Sequence, residues 1–228
     1  MKRNFQLFKA EAYKFGFDTL VVIVGVLIAF TLNDWNENRK LKDLESELLL
    51  DIRDNLLSSR TNLSNTIVYN KKTMDYYQQI IDHIKADLPY NTALDTAFSN
   101  ISYWSDPQFT FTAYETLKSK GLDIIQNDSI KYTITQVYEQ YFPFLMSEFN
   151  AEWEIYQSLV LPFVSKNILY INGETARPNN FKELKTNNEF HNIMGLKMNM
   201  RKYLIQFAEE ANYELNSLIT MIDQELSP

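Results

Sequence analysis

Phe15 to Glu37 reads FGFDTLVVIVGVLIAFTLNDWNE, and this stretch decides how the rest of the chain is read. From Thr19 to Leu32 there are 14 uncharged residues. At ~1.5 Å per residue a helix of that length covers ~21 Å, short of a hydrocarbon core of ~30 Å. Adding Phe15, Gly16, Phe17 and Asp18 extends it to ~27 Å, enough with slight local thinning. The predicted span is therefore 15–32, with Asp18 just inside one boundary. A secretory signal peptide has a similar basic start and apolar run, but Asn33, Asp34 and Trp35 make a poor cleavage site after Leu32. An uncleaved signal anchor is the reading adopted.

Lys2, Arg3, Lys9 and Lys14 precede the span, and Arg39, Lys40, Lys42 and Arg53 follow it. The two groups tie by the positive-inside rule. The free amino terminus and the short leading segment favour a cytoplasmic tail over 1–14. The expected location is the bacterial inner membrane, single-pass, with the body in the periplasm. The absence of cysteine is compatible with either side.

Around a helix, Asp18, Val22, Gly25, Ala29 and Leu32 share one face, spaced 4, 3, 4 and 3. Small residues four apart permit close approach of another helix. Val22, Gly25 and Ala29 are thus a candidate packing seam, for a second copy of the chain or another membrane protein. Asp18 is a candidate intramembrane acid, facing a partner or a proton path; the alternative is a carboxylate solvated by headgroups and favoured by the helix dipole. Trp35 reads as an interfacial anchor, flanked by polar residues in the headgroup layer; a headgroup-binding site is the alternative.

After the span the dominant period is helical. Leu41, Leu44, Leu48, Ile52, Leu56, Leu63, Ile67, Met74, Tyr77, Ile81 and Ile84 form a heptad-like stripe, with Asn70 at one seam position. A stalk helix is expected over 33–88, reaching about Lys85, weakened at Ser58-Ser59 and stopped by Pro89. Over 89–228 a helix bundle follows. It begins with a short helix near 92–103 and a turn at Ser105-Asp106-Pro107. The next helix is capped by Thr112 and Glu115 and stopped at Gly121. Another is capped at Asn127, and Pro143 starts or kinks the one after, which ends near 162–166. Asn172 to Asn180 is a loop. Thr186 and Glu189 form a capping box for a last helix to about Leu226, with a stripe at Ile193, Leu196, Met200, Tyr203, Phe207, Ala211, Leu215, Leu218 and Ile222. No strand alternation is visible. The fold class is all-α, with the first and last long helices packed antiparallel.

Two stretches resemble a family of uncharacterised bacterial single-span membrane proteins. Phe17 to Glu37 is similar to its N-terminal signature, an acid and an apolar run closed by Asn-Asn-Trp-Asn-Glu. Tyr114 to Ile125, with Tyr138-Glu139-Gln140-Tyr141, is similar to its second recurring stretch. The chain departs in having Asp18 for Glu and Asp34 for Asn. The resemblance implies a membrane anchor and a helical domain, and supplies no activity.

The net charge of −7, with no dense basic cluster, argues against nucleic-acid binding. With two histidines, His83 and His191, and no cysteine, a His/Cys zinc site is nearly excluded. Neither histidine follows a glutamate by three residues, so the di-iron bundle signature is missing. There is no Gly-x-Ser-x-Gly turn and no phosphate-cradling glycine loop. Glu148, Glu152, Glu154, Glu209 and Glu210 are read as a solvated face. Tyr138 to Phe149 is read as core, with an aromatic-lined ligand pocket as the alternative.

The expectation is a non-enzymatic, membrane-anchored scaffold or accessory subunit of a membrane complex, without cofactor or metal. The alternatives are a subunit of an ion-driven complex using Asp18, and an extracytoplasmic ligand-sensing bundle with a separate transducer.

Overall fold

A computed structural model describes residues 2–227, with side chains from Leu20 onward. The chain is almost entirely helical and divides into two units, Met1–Leu48 and Leu49–Pro228.

The first unit is the leading part of helix α1 (Lys2–Lys85). From Leu20 to Leu32 its apolar side chains point outward on every side. The large ones from Leu20 to Leu32 are each between 45% and 64% exposed. Thr31 turns its hydroxyl back to the carbonyls of Leu27 and Ile28, both at 2.9 Å, so it presents no unsatisfied polar group. Polar contacts resume beyond it, where Asn33 Nδ2 donates to Glu37 Oε1 at 3.1 Å.

The second unit is a helix bundle. The later part of α1 packs antiparallel to α8 (Asn188–Glu225). Bonds from Arg53 to Asp223, Arg60 to Asn216 and Ser64 to Asn212 run in opposite directions along the two helices. The expected antiparallel pairing of the first and last helices is thus within one chain. Its seam on α1 is Ile52, Leu56, Ser59, Leu63, Thr66, Asn70, Thr73, Tyr77 and Ile80, all buried. Steps alternate four and three throughout, the spacing that keeps one stripe facing a partner helix. The helix does not weaken at Ser58-Ser59. Ser59 is buried and its Oγ accepts from the Thr110 N–H at 3.0 Å, so its polarity is used in a tertiary contact.

Between these helices come α2 (Asp95–Ser99), flanked by 3₁₀ turns, α3 (Thr112–Lys120), α4 (Asp128–Gln136), α5 (Phe142–Ile155) and α6 (Leu161–Asn167). A π-turn precedes each proline-bearing helix, Val137–Tyr141 before α5 and Tyr156–Val160 before α6. Pro143 and Pro162 lack an N–H and would crowd the carbonyl four residues back; the wider turn opens that spacing and keeps the helical path continuous. Gly121 stops α3 at φ 106, a conformation that L side chains resist.

Three local expectations are corrected. Thr112 and Glu115 form no capping box; Phe111 sits at the cap without a side-chain bond, and Thr112 Oγ1 accepts from Asn55 instead. The cap of α8 is Asn187, whose side chain accepts from Phe190 N at 2.9 Å, while Thr186 is used in a preceding turn. The loop near Asn172 is the tip of a short antiparallel hairpin, β1 (Ile168–Tyr170) with β2 (Ala176–Pro178). Three-residue strands are too short for alternation to show in sequence. The hairpin is fixed by Arg177 on the buried Asp95 at 2.9 Å and by Ser99 Oγ on the Glu174 carbonyl at 2.8 Å. A one-turn helix α7 (Phe181–Leu184) links it to α8.

Candidate functional site: a buried charged layer

Two apolar clusters lie along the bundle. One contains Leu63 and Ile67 of α1, Leu145 and Phe149 of α5, and Leu204 and Ala208 of α8. The other contains Tyr77 and Ile80 of α1, Val160 after α5, and Phe190 and Met194 of α8. On each helix the residues between the two clusters are polar and buried: Asn70 and Thr73 on α1, Glu152 on α5, Lys197 and Arg201 on α8. The bundle therefore carries a charged layer sealed by hydrocarbon above and below.

Arg201 is fully buried. Its Nη1 donates to Asn70 Oδ1 and its Nη2 to the Tyr103 carbonyl at 2.8 Å. The Asn70 amide is oriented for this because its Nδ2 donates back to Thr66 O at 2.8 Å. Glu152 Oε1 lies 2.9 Å from Arg201 Nη2 and 3.8 Å from Lys197 Nζ. These are ion-pair separations, but neither Glu152 oxygen is aligned for a hydrogen bond. The Lys197 ammonium lies between the rings of Tyr77 and Tyr156, 5.7 Å from each centroid. Tyr156 belongs to the second π-turn, a feature that recurs at functional sites.

Two cations face one anion. Lys197 and Arg201 are four apart on one helix face, a repulsive placement for like charges. Burial, reinforced by the neighbouring Arg201 and only partly offset by Glu152, pulls the Lys197 amine down to about 8. Burial likewise pushes the Tyr77 phenol up, against the opposing pull of Arg201. Lys197 and Tyr77 thus sit where burial disfavours their charged forms, a setting in which perturbed groups are associated with function.

Glu152 corrects the reading of a solvated carboxylate face, since it is 2% exposed; Glu154, Glu209 and Glu210 are exposed, and Glu209 pairs with Lys71. The stripe on α8 is corrected too. Leu196 and Tyr203 are exposed, and the buried line is Met194, Lys197, Arg201, Leu204, Ala208, Ala211, Leu215, Leu218 and Ile222. A signal for this was present. Stepping back from Ile222 by strict fours and threes lands on Arg201 and Lys197; the apolar alternative requires successive steps of four from Tyr203 through Leu215 and so drifts off the seam.

Tyr138, Phe142 and Phe149 are buried, with Tyr114 stacked on Tyr138 at 4.5 Å and Phe109 on Phe142 at 4.0 Å, so this stretch is filled core. His83 and His191 each bond a backbone carbonyl beyond a helix end, Pro89 O at 2.7 Å and Lys185 O at 2.8 Å. Among the described residues no group of three His, Cys, Asp or Glu is placed to hold a metal.

On the first unit, Val22, Gly25, Ala29 and Trp35 are all exposed, and a Cβ added at Gly25 meets nothing within 4 Å. Asp18 lies outside the described side chains. One helix near the N-terminus is long and apolar enough to cross a membrane by length and composition.

No family model, curated protein or solved structure matches this chain.

Proposed function

We propose that the protein is a membrane-anchored helical scaffold or accessory subunit, non-enzymatic, held in the bilayer by residues 15–32. One observation carries this reading: the large apolar side chains from Leu20 to Leu32 are exposed on all faces, although the chain has the material to build a separate, well-filled core. A helix apolar all round is stable only inside a protein or in lipid. In a water-soluble protein these side chains would have been buried; none of the span's window is.

In this reading 1–14 is cytoplasmic, the bundle periplasmic, and Trp35 sits at the headgroup level. The open surface at Gly25 and Ala29 receives a helix of a second copy or of another membrane protein. The full-length chain is expected to stay with the membrane through carbonate and high-salt washes. A detergent-solubilised pull-down is expected to recover a membrane partner that Gly25→Leu loses by blocking close approach. Release of intact chain by carbonate would overturn the anchor; a partner retained by Gly25→Leu would overturn the seam.

A further inference from the structure

Helix α8 carries two apolar stripes. One is buried against α1 and the core. The other, Leu196, Met200, Tyr203 and Phe207, steps by four, three and four, the spacing that keeps one line of side chains toward a neighbouring helix. Its members stay open to solvent: Leu196 and Tyr203 are exposed, Met200 and Phe207 half-buried.

Two contacts place α5 along the edge of this second stripe. At one end Phe144 of α5 packs on Phe207, with ring centroids 4.8 Å apart, and Tyr203 packs on Phe207 at 4.6 Å. At the other end Leu159 of the second π-turn and Leu196 of α8 line one open cavity of about 310 Å³ together with Glu189. Phe144 and Leu159 are both exposed. The two helices therefore hold a shallow apolar groove between them. From Leu196 to Phe207 it runs ~17 Å along α8, about three turns of a helix laid beside it.

The charge around this groove is of one sign. Over 142–160 and 188–225, Lys202 is the only lysine or arginine outside the core, and it points about 100° round α8 from Tyr203. Carboxylates stand along the groove instead. Glu189 is in the cavity wall at one end. Glu148 is one turn beyond Phe144, on the same face of α5. At the other end Glu210 and Glu214 follow Phe207 by three and seven, and both reach Tyr141, whose phenol is raised by burial first and then by these two carboxylates. Among the described residues none of these four glutamates is paired with a cation, whereas Glu209, on the α1 side of α8, is paired with Lys71.

An apolar floor calls for a hydrocarbon face, and the acidic rim decides what carries it. A second copy would bring the same carboxylates against these, and the net charge of −7 adds to that repulsion. An anionic lipid surface is repelled for the same reason. A helix apolar on one face and basic on its flanks meets both demands. We propose that the groove between α5 and α8 is a docking site for a basic amphipathic helix of a partner protein. Apolar side chains of that helix, three and four apart, enter between Phe144, Leu159, Leu196 and Tyr203, and its flanking bases pair with Glu148, Glu189, Glu210 and Glu214. This surface lies in the second unit, and its use does not depend on how residues 15–32 are placed.

The test uses the full-length chain in detergent and a synthetic peptide of two heptads, leucine at a and d and lysine elsewhere. The chain has no cysteine, so Asn199→Cys carries a single environment-sensitive dye beside the stripe, and Val68→Cys, exposed on α1, carries the control dye. A saturable response is expected at position 199 and none at 68, with a rise in Tm. A peptide of the same composition in scrambled order, and one with glutamate for lysine, bind about tenfold more weakly. Leu196→Lys weakens binding about tenfold, and Leu159→Lys, on the other wall, repeats that loss. Glutamine at Glu148, Glu189, Glu210 and Glu214 together weakens it about tenfold and removes most of its salt dependence. Equal binding of the scrambled or the glutamate peptide, an undiminished response in Leu196→Lys and Leu159→Lys, or unchanged affinity in the fourfold glutamine variant would each overturn the proposal. So would a dimer of the peptide-free chain that Leu196→Lys dissociates, which would give the groove to a second copy. An equal dye response to mixed micelles carrying anionic phospholipid would give it to lipid and overturn the proposal likewise.

Discussion

Replacing Lys197 by Met isolates the cost of the excess charge. The side chains have similar length and both are unbranched, so packing between Tyr77 and Tyr156 is largely kept, whereas the ammonium is removed. In the native bundle the amine sits at about 8 against an ordinary 10.5. At ~1.4 kcal/mol per pH unit, that drop corresponds to ~3 kcal/mol of destabilisation while Lys197 is protonated. Losing the two cation–aromatic contacts gives back ~1 kcal/mol. Lys197→Met should therefore stabilise the bundle by ~2 kcal/mol at pH 7, or ~4–8 °C in Tm for a unit of this size. Because the folded value lies below the unfolded one, the unfolded chain binds more protons between pH 8 and 10.5. Stability of the native protein should rise with pH through that window, reach its full value above 10.5, and be lost as pH falls through 8. The variant should lack this rise. The assay is urea unfolding of the full chain in detergent, followed by tryptophan fluorescence at pH 7, 9 and 10.5. Destabilisation by Lys197→Met at pH 7, or the same pH slope in both proteins, would refute the account of the layer as a net buried cation.

Glu152→Gln removes the only acid from the layer and leaves two buried cations facing each other; a loss of ~3–5 kcal/mol is expected in the same urea assay, and a neutral effect would mean that Glu152 does not balance the cluster. Asn187→Ala should cost ~1 kcal/mol by removing the cap of α8, while Thr186→Ala should leave stability close to unchanged, a contrast measurable by thermal unfolding; equal effects would restore Thr186 as the cap.

One role for the layer is to fix the register of α1 against α8, as single polar residues do in coiled coils. Asn70, bonded to Arg201 from the facing helix, fits that role. Register alone does not account for Lys197, which touches Glu152 only at 3.8 Å and otherwise meets ring faces. A lysine that adds repulsion and desolvation without closing a hydrogen-bonded network is a cost the fold carries.

The sequence by itself determined the elements with strong local causes. Asn127 and Gly121 are legible as cap and stop because their preferences are set within a few residues. Pro89 lies just past the end of α1 because proline cannot continue a helix. The unbroken helical periodicity from Leu41 to Ile84 led to a long first helix, and the apolar run before it marked a segment long and apolar enough to cross a membrane. Over which side of α8 is inside, strict four-three spacing and hydrophobicity disagree, and the tertiary structure decided between them. Leu196, Met200, Tyr203 and Phe207 make as good an apolar stripe as Leu204 and Ala208, and hydrophobicity argues for the former, since the latter line passes through Lys197 and Arg201. The choice is made by Glu152 arriving from α5, Asn70 from α1 and the Tyr103 carbonyl from the strap. These partners lie 45 to 131 residues away from the cations they meet, a separation over which a linear pattern holds no information about pairing; only when the bundle closes do Lys197 and Arg201 become the centre of its core.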